Sequence, residues 1–234
     1  MQSILLKLSI IIPVYNEATH IHELLLYIKS NLKTPLETEL LVVDGGSTDG
    51  TSEIISKEKD IVFIESPKGR GAQMNLGAKQ AKGTLLYFLH ADSFPPKYFD
   101  EAILNEVVKG NEAGCFKMKF RSKHCWLHLA SWFTQFNVKY FRGGDQSLFV
   151  TKKCFDELGG FSETSPIFED VHFIRKLYSK KSFSVIQQWI STSARRYKKN
   201  GVVRLQYHYW LLYFKNWMGA SPQKLLEYYK SNIK

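Results

Sequence analysis

Three acidic positions stand where apolar runs end or a helix should begin. They are Asp44 after Leu40-Leu41-Val42-Val43, Asp92 after Leu85-Leu86-Tyr87-Phe88-Leu89-His90-Ala91, and the pair Glu169-Asp170. A short apolar run closed by a carboxylate reads as a buried strand of a parallel sheet with the acid at its carboxyl end. Open α/β sheets bind ligands at that edge, and a carboxylate there can hold a hard divalent cation against phosphate oxygens. The competing reading for any one of these acids is a cap or turn without chemistry. Taken together they suit a nucleoside diphosphate. Asp44 would accept hydrogen bonds from base or ribose, Asp92 would ligate a bridging cation, and a carboxylate across the pocket would take the proton of an incoming hydroxyl.

Positioning these acids needs alternating strands and helices, and the first half supplies them. Residues 8–15, 39–44, 61–64 and 85–92 read as strands, and residues 17–31, 51–57 and 71–81 as the helices between them. That spacing implies right-handed crossovers and a parallel, Rossmann-like sheet with helices on both faces. Strand one is followed by Pro13-Val14-Tyr15-Asn16-Glu17 and not by a Gly-x-Gly-x-x-Gly turn, which argues against NAD or FAD. No Gly-x-x-x-x-Gly-Lys-Ser/Thr loop is present either.

The second half is less regular. Residues 96–109, 151–158 and 169–178 predict helices, and 113–120, 147–150 and 184–188 strands, with Gly143-Gly144-Asp145-Gln146 as a turn. Trp126, Leu129, Phe133, Phe136 and Tyr140 fall at helical spacing, an apolar stripe expected to pack in the core. Val203, Tyr207, Trp210, Phe214 and Trp217 form a second stripe opposite Arg204, His208 and Lys215. It reads as core packing or, alternatively, as a helix lying in a membrane interface.

Composition narrows the class. With 234 residues, 44% hydrophobic and 23% charged, the chain is an ordinary globular protein with enough length for a full core. Residues 1–8 are interrupted by Lys7 and lack a small-residue cleavage site, so no signal peptide is expected, and no run reaches transmembrane length. Three cysteines without CxxC spacing suggest reduced thiols and a cytoplasmic location. His124, Cys125 and His128 lack further paired ligands nearby and make a poor metal site. The net charge of +10 is uneven. Residues 171–234 hold 13 Lys/Arg against the single acid Glu227, with 13 Phe, Tyr and Trp among them. Such a segment suits anionic lipid, nucleic acid or polyphosphate.

In order along the chain stand Ser9-Ile10-Ile11-Ile12-Pro13-Val14-Tyr15-Asn16-Glu17, Val42-Val43-Asp44-Gly45-Gly46-Ser47-Thr48-Asp49-Gly50-Thr51, Gly69-Arg70-Gly71-Ala72-Gln73-Met74-Asn75, His90-Ala91-Asp92, Gly144-Asp145-Gln146, Leu158-Gly159-Gly160-Phe161 and Glu169-Asp170. This ordered set resembles the inverting, nucleotide-sugar glycosyltransferases of family 2, with the GT-A fold. Its details resemble a bacterial branch of small single-domain members often found beside radical enzymes and arsenosugar genes. The resemblance implies one domain over residues 1–234. Residues 1–110 would be the nucleotide-binding half, 111–200 the acceptor and catalytic half, and 201–234 basic aromatic helices. It implies that Pro13, Tyr15 and Glu17 line the base and ribose pocket, that Asp44 reads the base, and that Arg70, Gln73 and Ala91 lie against the donor. Asp92 would bind Mn²⁺ or Mg²⁺. Asp170 would be the general base, with Glu169 and Asp145 as further catalytic residues, and Arg195 and Arg196 would face the diphosphate. The implied partners are a nucleotide-diphosphate sugar, a UDP-sugar first, and a hydroxyl acceptor that is a small molecule or lipid-linked.

Two departures from the family pattern stand out. Asp44-Gly45 replaces Asp-Asp, and His90-Ala91-Asp92 replaces Asp-x-Asp, so two acids are missing and His90 is expected to hydrogen-bond nearby. The rival readings are a nucleotidyltransferase, a nucleic-acid-binding module, and a protein that rests peripherally on the inner face of an anionic membrane through its basic aromatic third. No specific nucleic acid is expected.

Overall fold

The structure, a computed structural model, describes residues 6–34, 37–165 and 167–233. Most of the opening segment weighed as a leader peptide lies outside the described residues. Eight strands form one mixed sheet in the order β3-β2-β1-β4-β7-β6-β8-β5. They are β1 (Leu8–Val14), β2 (Thr38–Asp44), β3 (Val62–Glu65), β4 (Leu85–Phe88), β5 (Ser93–Phe94), β6 (Ala113–Phe120), β7 (Leu148–Thr151) and β8 (Phe183–Thr192). The first four named in chain order run parallel as anticipated. β7 enters antiparallel between β4 and β6, and β5 lies antiparallel on the far edge against β8.

Ten helices among the described residues complete the fold. They are α1 (Ile21–Asn31), α2 (Thr51–Ser56), α3 (Arg70–Gln80), α4 (Phe99–Val108), α5 (Cys125–Phe133), α6 (Lys152–Glu157), α7 (Glu169–Ser179), α8 (Arg195–Asn200), α9 (Val202–Trp217) and α10 (Pro222–Asn232). The sheet carries a core on each face. Ile10, Ile12, Leu85 and Tyr87 point to one side with α1 and α4, while Ile11, Leu86 and Phe88 point to the other with α3 and α7, the period-two alternation of strands buried on both sides. α3 sits close on β1 and β2 because Gly77 has no side chain. A Cβ there would come within 2.5 Å of Ile11 Cγ2 and 3.1 Å of Val43 Cγ2.

Several elements differ from their predicted extents. β4 stops at Phe88 instead of running to 92, because Leu89 N donates to Ile11 O at 3.0 Å and the next donor on β1 would be Pro13, which has no N–H. β8 continues past residue 188 through a bulge at Phe116/Lys117, where the pairing jumps from Ile186 to Trp189; the intervening Gln187-Gln188 interrupt the apolar pattern. The first aromatic stripe is not one helix. α5 ends at Phe133, and the buried Arg142 guanidinium collects the carbonyls of Thr134 at 2.7 Å and Phe136 at 2.6 Å.

Neither aromatic stripe is core. Leu129, Phe133, Phe136 and Tyr140 are exposed, as are Val203, Tyr207, Trp210, Phe214 and Trp217. α9 instead buries Leu205 and Leu212, from its opposite side, with Leu225 of α10 and Phe168 and Val171 at the head of α7. Arg195, the first residue of α8, meets Glu17 after β1 and Asp92 after β4.

Candidate active site

The loop after β1 and the loop after β2 are built as one unit. Asn16 N donates to Ser47 Oγ at 2.9 Å, Thr48 N to Asn16 Oδ1 at 2.8 Å, Glu17 N to Thr51 Oγ1 at 2.9 Å and Ala18 N to Asp49 Oδ2 at 3.1 Å. The Ser-Thr-Asp-Gly-Thr run thus satisfies the backbone of residues 16–18, holding Asn16 at φ 55°. Asp44 is buried inside this unit and accepts from Ser47 Oγ at 2.5 Å and Ser52 Oγ at 2.8 Å. Gln73 of α3 ties the strand ends together by donating to Val14 O and Val43 O, each at 2.8 Å. A Cβ on Gly45 would stand 3.0 Å from the Gln73 amide, so the side chain missing from position 45 is the space Gln73 fills.

Beside this unit opens a pocket of about 680 Å³, the size of a cofactor or drug-sized ligand site. Pro13, Tyr15 and Glu17 from the β1 loop, His90, Ala91 and Asp92 from the β4 loop, and Asp145, Asp170, Arg195 and Arg196 from the second half of the chain line it. The ring of Tyr15 lies under Lys68 Nζ at 3.6 Å. Arg195 makes a two-pronged pair with Glu17 and reaches Asp92 Oδ2 at 3.6 Å. Arg70 pairs through Nε with Glu169 Oε1, and Glu169 Oε2 is buried without a hydrogen-bond partner.

The acids of the pocket are pulled in different directions. Burial, then the charge of Asp145, push Asp92 above the usual carboxylate range, against the opposing pull of His90 and Arg195. Asp145 is itself pushed up by enclosure, but His90, Arg70 and Arg196 together bring it down to about 2. Its Oδ1 stands 3.3 Å from His90 Nδ1. Burial opposes the charge on Arg70, yet Glu169, Asp170 and Asp145 hold it firmly protonated. Asp170 opens α7 and accepts through Oδ2 from Gly144 N at 2.6 Å and through Oδ1 from its neighbour Val171 N at 2.8 Å. No group of three or more His, Cys, Asp or Glu that could hold a metal ion occurs among the described residues.

A family model for glycosyl transferase family 2 matches residues 9–161, from β1 through the loop that carries Phe161. The chain belongs to that family. Among curated relatives, glycosyltransferase AglE of Haloferax volcanii is 39% identical over 101 residues, covering 41% of this chain and 33% of its own length. Succinoglycan biosynthesis protein ExoA of Rhizobium meliloti is 30% identical over 112 residues, covering 44% and 34%. This family 2 chain therefore matches about a third of the length of either relative. Staphylococcus aureus TarS in complex with UDP shares the fold at a TM-score of 0.66 and 21% identity, over 81% of this chain and 61% of that one. A Pyrobaculum calidifontis mannosyltransferase in complex with GDP-Man and Mn²⁺ does so at 0.62 and 22%, over 88% and 60%. The fold is GT-A.

Within this family 2 fold the pocket brings together Pro13, Tyr15, Glu17, Arg70, Gln73, Ala91, Asp92, Asp145, Asp170, Arg195 and Arg196. Asp44 and Glu169 do not line it. Asp44 is held within its own loop, and Glu169 acts on the pocket through Arg70. Sequence reasoning missed the aromatic half of the lining: Phe141, Phe168, Tyr209, Tyr213 and Tyr229. The signal for Tyr209 and Tyr213 was their four-residue spacing on the flank of the α9 stripe, which was read for its exposed side only. No helix among the described residues is long and apolar enough to cross a membrane.

Proposed function

We propose that this chain moves a sugar from a nucleotide-diphosphate sugar to a hydroxyl acceptor in one displacement that inverts the anomeric carbon. The observation that carries the reading is the convergence of Asp92, Asp170, Arg70, Arg195 and Arg196 on one pocket beside the β1 loop. The lining by Pro13, Tyr15 and Glu17 suits a base and ribose, and a UDP-sugar is the first donor to test, since the TarS structures carry UDP and UDP-GlcNAc. Arg195 and Arg196 suit diphosphate oxygens. Asp170, fixed at the head of α7, takes the proton of the acceptor hydroxyl as that oxygen attacks from the face opposite the leaving diphosphate. Asp145 orients sugar or acceptor and pairs with His90. Glu169 positions Arg70 from beneath.

The residues fit a divalent cation. Asp92 is a mostly buried carboxylate that Arg195 approaches only to 3.6 Å, so its charge is poorly compensated. A hard cation held by one or two carboxylates and completed by substrate phosphates and water needs no larger cluster. Asp92 would hold Mn²⁺ or Mg²⁺, which when bound supplies Lewis-acid charge to the departing nucleoside diphosphate.

Thermal unfolding with UDP, GDP, dTDP or CMP, with and without Mn²⁺, tests the donor class. A nucleotide at about a hundred times its dissociation constant adds roughly 2.7 kcal/mol, or about 5–10 °C for a chain of this size. The expected result is a Mn²⁺-dependent rise with one of the three diphosphates and not with CMP, lost in Asp92→Ala and kept in Asp170→Asn. With the donor so named, Asp170→Asn lowers turnover by roughly a hundredfold to ten-thousandfold. No rise with any of the four would overturn the proposal.

A further inference from the structure

We infer that the exposed aromatic faces of α5 and α9 together form a surface that docks on an anionic lipid bilayer. On α9, Val203, Tyr207, Trp210, Phe214 and Trp217 recur at steps of three and four and share one side of the helix, opposite the buried Leu205 and Leu212. Val203 and Trp217 are 80% and 79% exposed, which no packing among the described residues explains. The second stripe adjoins the first. Trp126 of α5 meets Trp210 edge-to-face at 5.9 Å, and its Nε1 donates to Gln206 of α9 at 3.3 Å. Leu129 and Trp132 on α5, and Phe136 and Tyr140 beyond its end, are also exposed, with Trp132 against Phe136 at 4.8 Å, so most of the exposed large apolar side chains among the described residues gather on these two segments.

Charge selects the occupant. Neither residues 113–144 nor residues 171–226 contain an Asp or Glu, so the charged side chains within the two segments that bear the stripes are all cationic, among them the exposed Lys123, Lys139 and Arg204. A second copy of the chain would bring the same positive charge to the contact and be repelled. A bilayer with acidic headgroups offers what this face matches, negative charge around an apolar interior, with Trp and Tyr at the boundary between them. Tyr140, Phe141 and Tyr213 belong both to this region and to the lining of the pocket, so docking would set the pocket's aromatic half against the lipid surface. Resting on the transferase reading, the acceptor is then a hydroxyl or phosphate-linked sugar carried on a lipid. The docking itself does not depend on that reading.

The test is sedimentation with vesicles of phosphatidylglycerol and phosphatidylcholine in equal parts, and with phosphatidylcholine alone, together with tryptophan emission and its quenching by brominated acyl chains. The protein is expected to sediment with the first and not the second, with blue-shifted, quenchable emission. The triple variant Trp210→Ser, Phe214→Ser, Trp217→Ser should lose binding by a factor on the order of a hundred, with an unchanged circular dichroism spectrum. Leu26→Ser and Val108→Ser, exposed apolar positions elsewhere, should bind like wild type. Equal recovery in the supernatant with both vesicles would overturn the inference. So would a dimer in solution that the triple variant converts to monomer. Nucleotide-induced stabilisation, measured without lipid, reports on the transferase reading separately.

Discussion

Asp92 and Asp145 share one pocket and one electrostatic field, yet the fold makes the first a weaker acid than usual and the second a stronger one. The signs give two outcomes. Asp145 contributes stability above its unfolded value of about 4, and that contribution fades as pH falls from about 4 toward 2. Asp92 must give up its proton to hold a cation, so nucleotide binding in the presence of Mn²⁺ should weaken on the acid side at a higher pH than an unperturbed aspartate would set. Asp145→Asn removes a negative neighbour that raises Asp92 and should move that acid limb to lower pH, read by calorimetric titration of the nucleotide. An unmoved limb would mean that Asp92 does not sense Asp145. Gly144 makes a second residue-scale prediction. A Cβ there would collide with Asp170 Oδ2 and stand 2.8 Å from His90 Cε1. Gly144→Ala should therefore reduce turnover by roughly a hundredfold while leaving the melting temperature within a few degrees of wild type, because the displaced groups line a pocket and not the core.

Among the elements, α4 is fastened by a carboxylate unrelated to the pocket. Asp100 is fully buried and accepts from Lys33 N at 2.9 Å, Thr34 N at 2.7 Å and Thr34 Oγ1 at 2.9 Å, fixing the chain that leaves α1. Asp100→Ala strands two backbone donors and should cost about 2–4 kcal/mol, a fall of roughly 5–15 °C in melting temperature, measured by calorimetry. The parallel half of the sheet was legible because β1, β2 and β4 are buried on both faces and read as apolar runs. What failed was local or tertiary. The end of β4 depends on a proline in its neighbour, and the extent of β8 on a bulge opposite Phe116/Lys117. Periodicity told that Val203 to Trp217 share one face but could not say which way it turns, since an interface and a core demand the same stripe. In the same way the pocket acids announced themselves by their place at the ends of runs. Tyr209, Tyr213 and Tyr229 reach the pocket only through the docking of α9 and α10 on α7.

On the scale of the whole molecule the charge is divided. Residues 171–234 carry 13 Lys/Arg against one acid, and the remainder of the chain carries 19 Lys/Arg against 21 acids. Only a small part of this excess is spent inside the pocket, by Arg195 and Arg196. Association with anionic vesicles should therefore weaken as ionic strength rises from about 0.1 M to about 1 M and the screening length shrinks from roughly 10 Å to 3 Å. Thermal stability should change little over that range, since exposed pairs such as Lys180–Glu157 contribute little and partly buried ones such as Arg70–Glu169 are screened much less. Recovery that ignores salt would assign the contact to apolar burial alone.

The edge pairing of β5 has a consequence in time. Ser93 and Phe94 pair with Thr192 and Ser191, Ser93 Oγ donates to Thr192 Oγ1 at 3.1 Å across 99 residues, and Ser193 N donates to Asp92 O at 3.2 Å. Glu17 meets Arg195 across 178 residues. Closing loops of that length comes late in folding, after the local βα units have formed. The strands nearest the amino terminus can thus be in place while the pocket is still open. On that order, a chain emerging from the ribosome brings Asp92, the carboxylate proposed to hold a cation, into its final orientation only once residue 195 has been made, and the site is among the last features of the molecule to come into being.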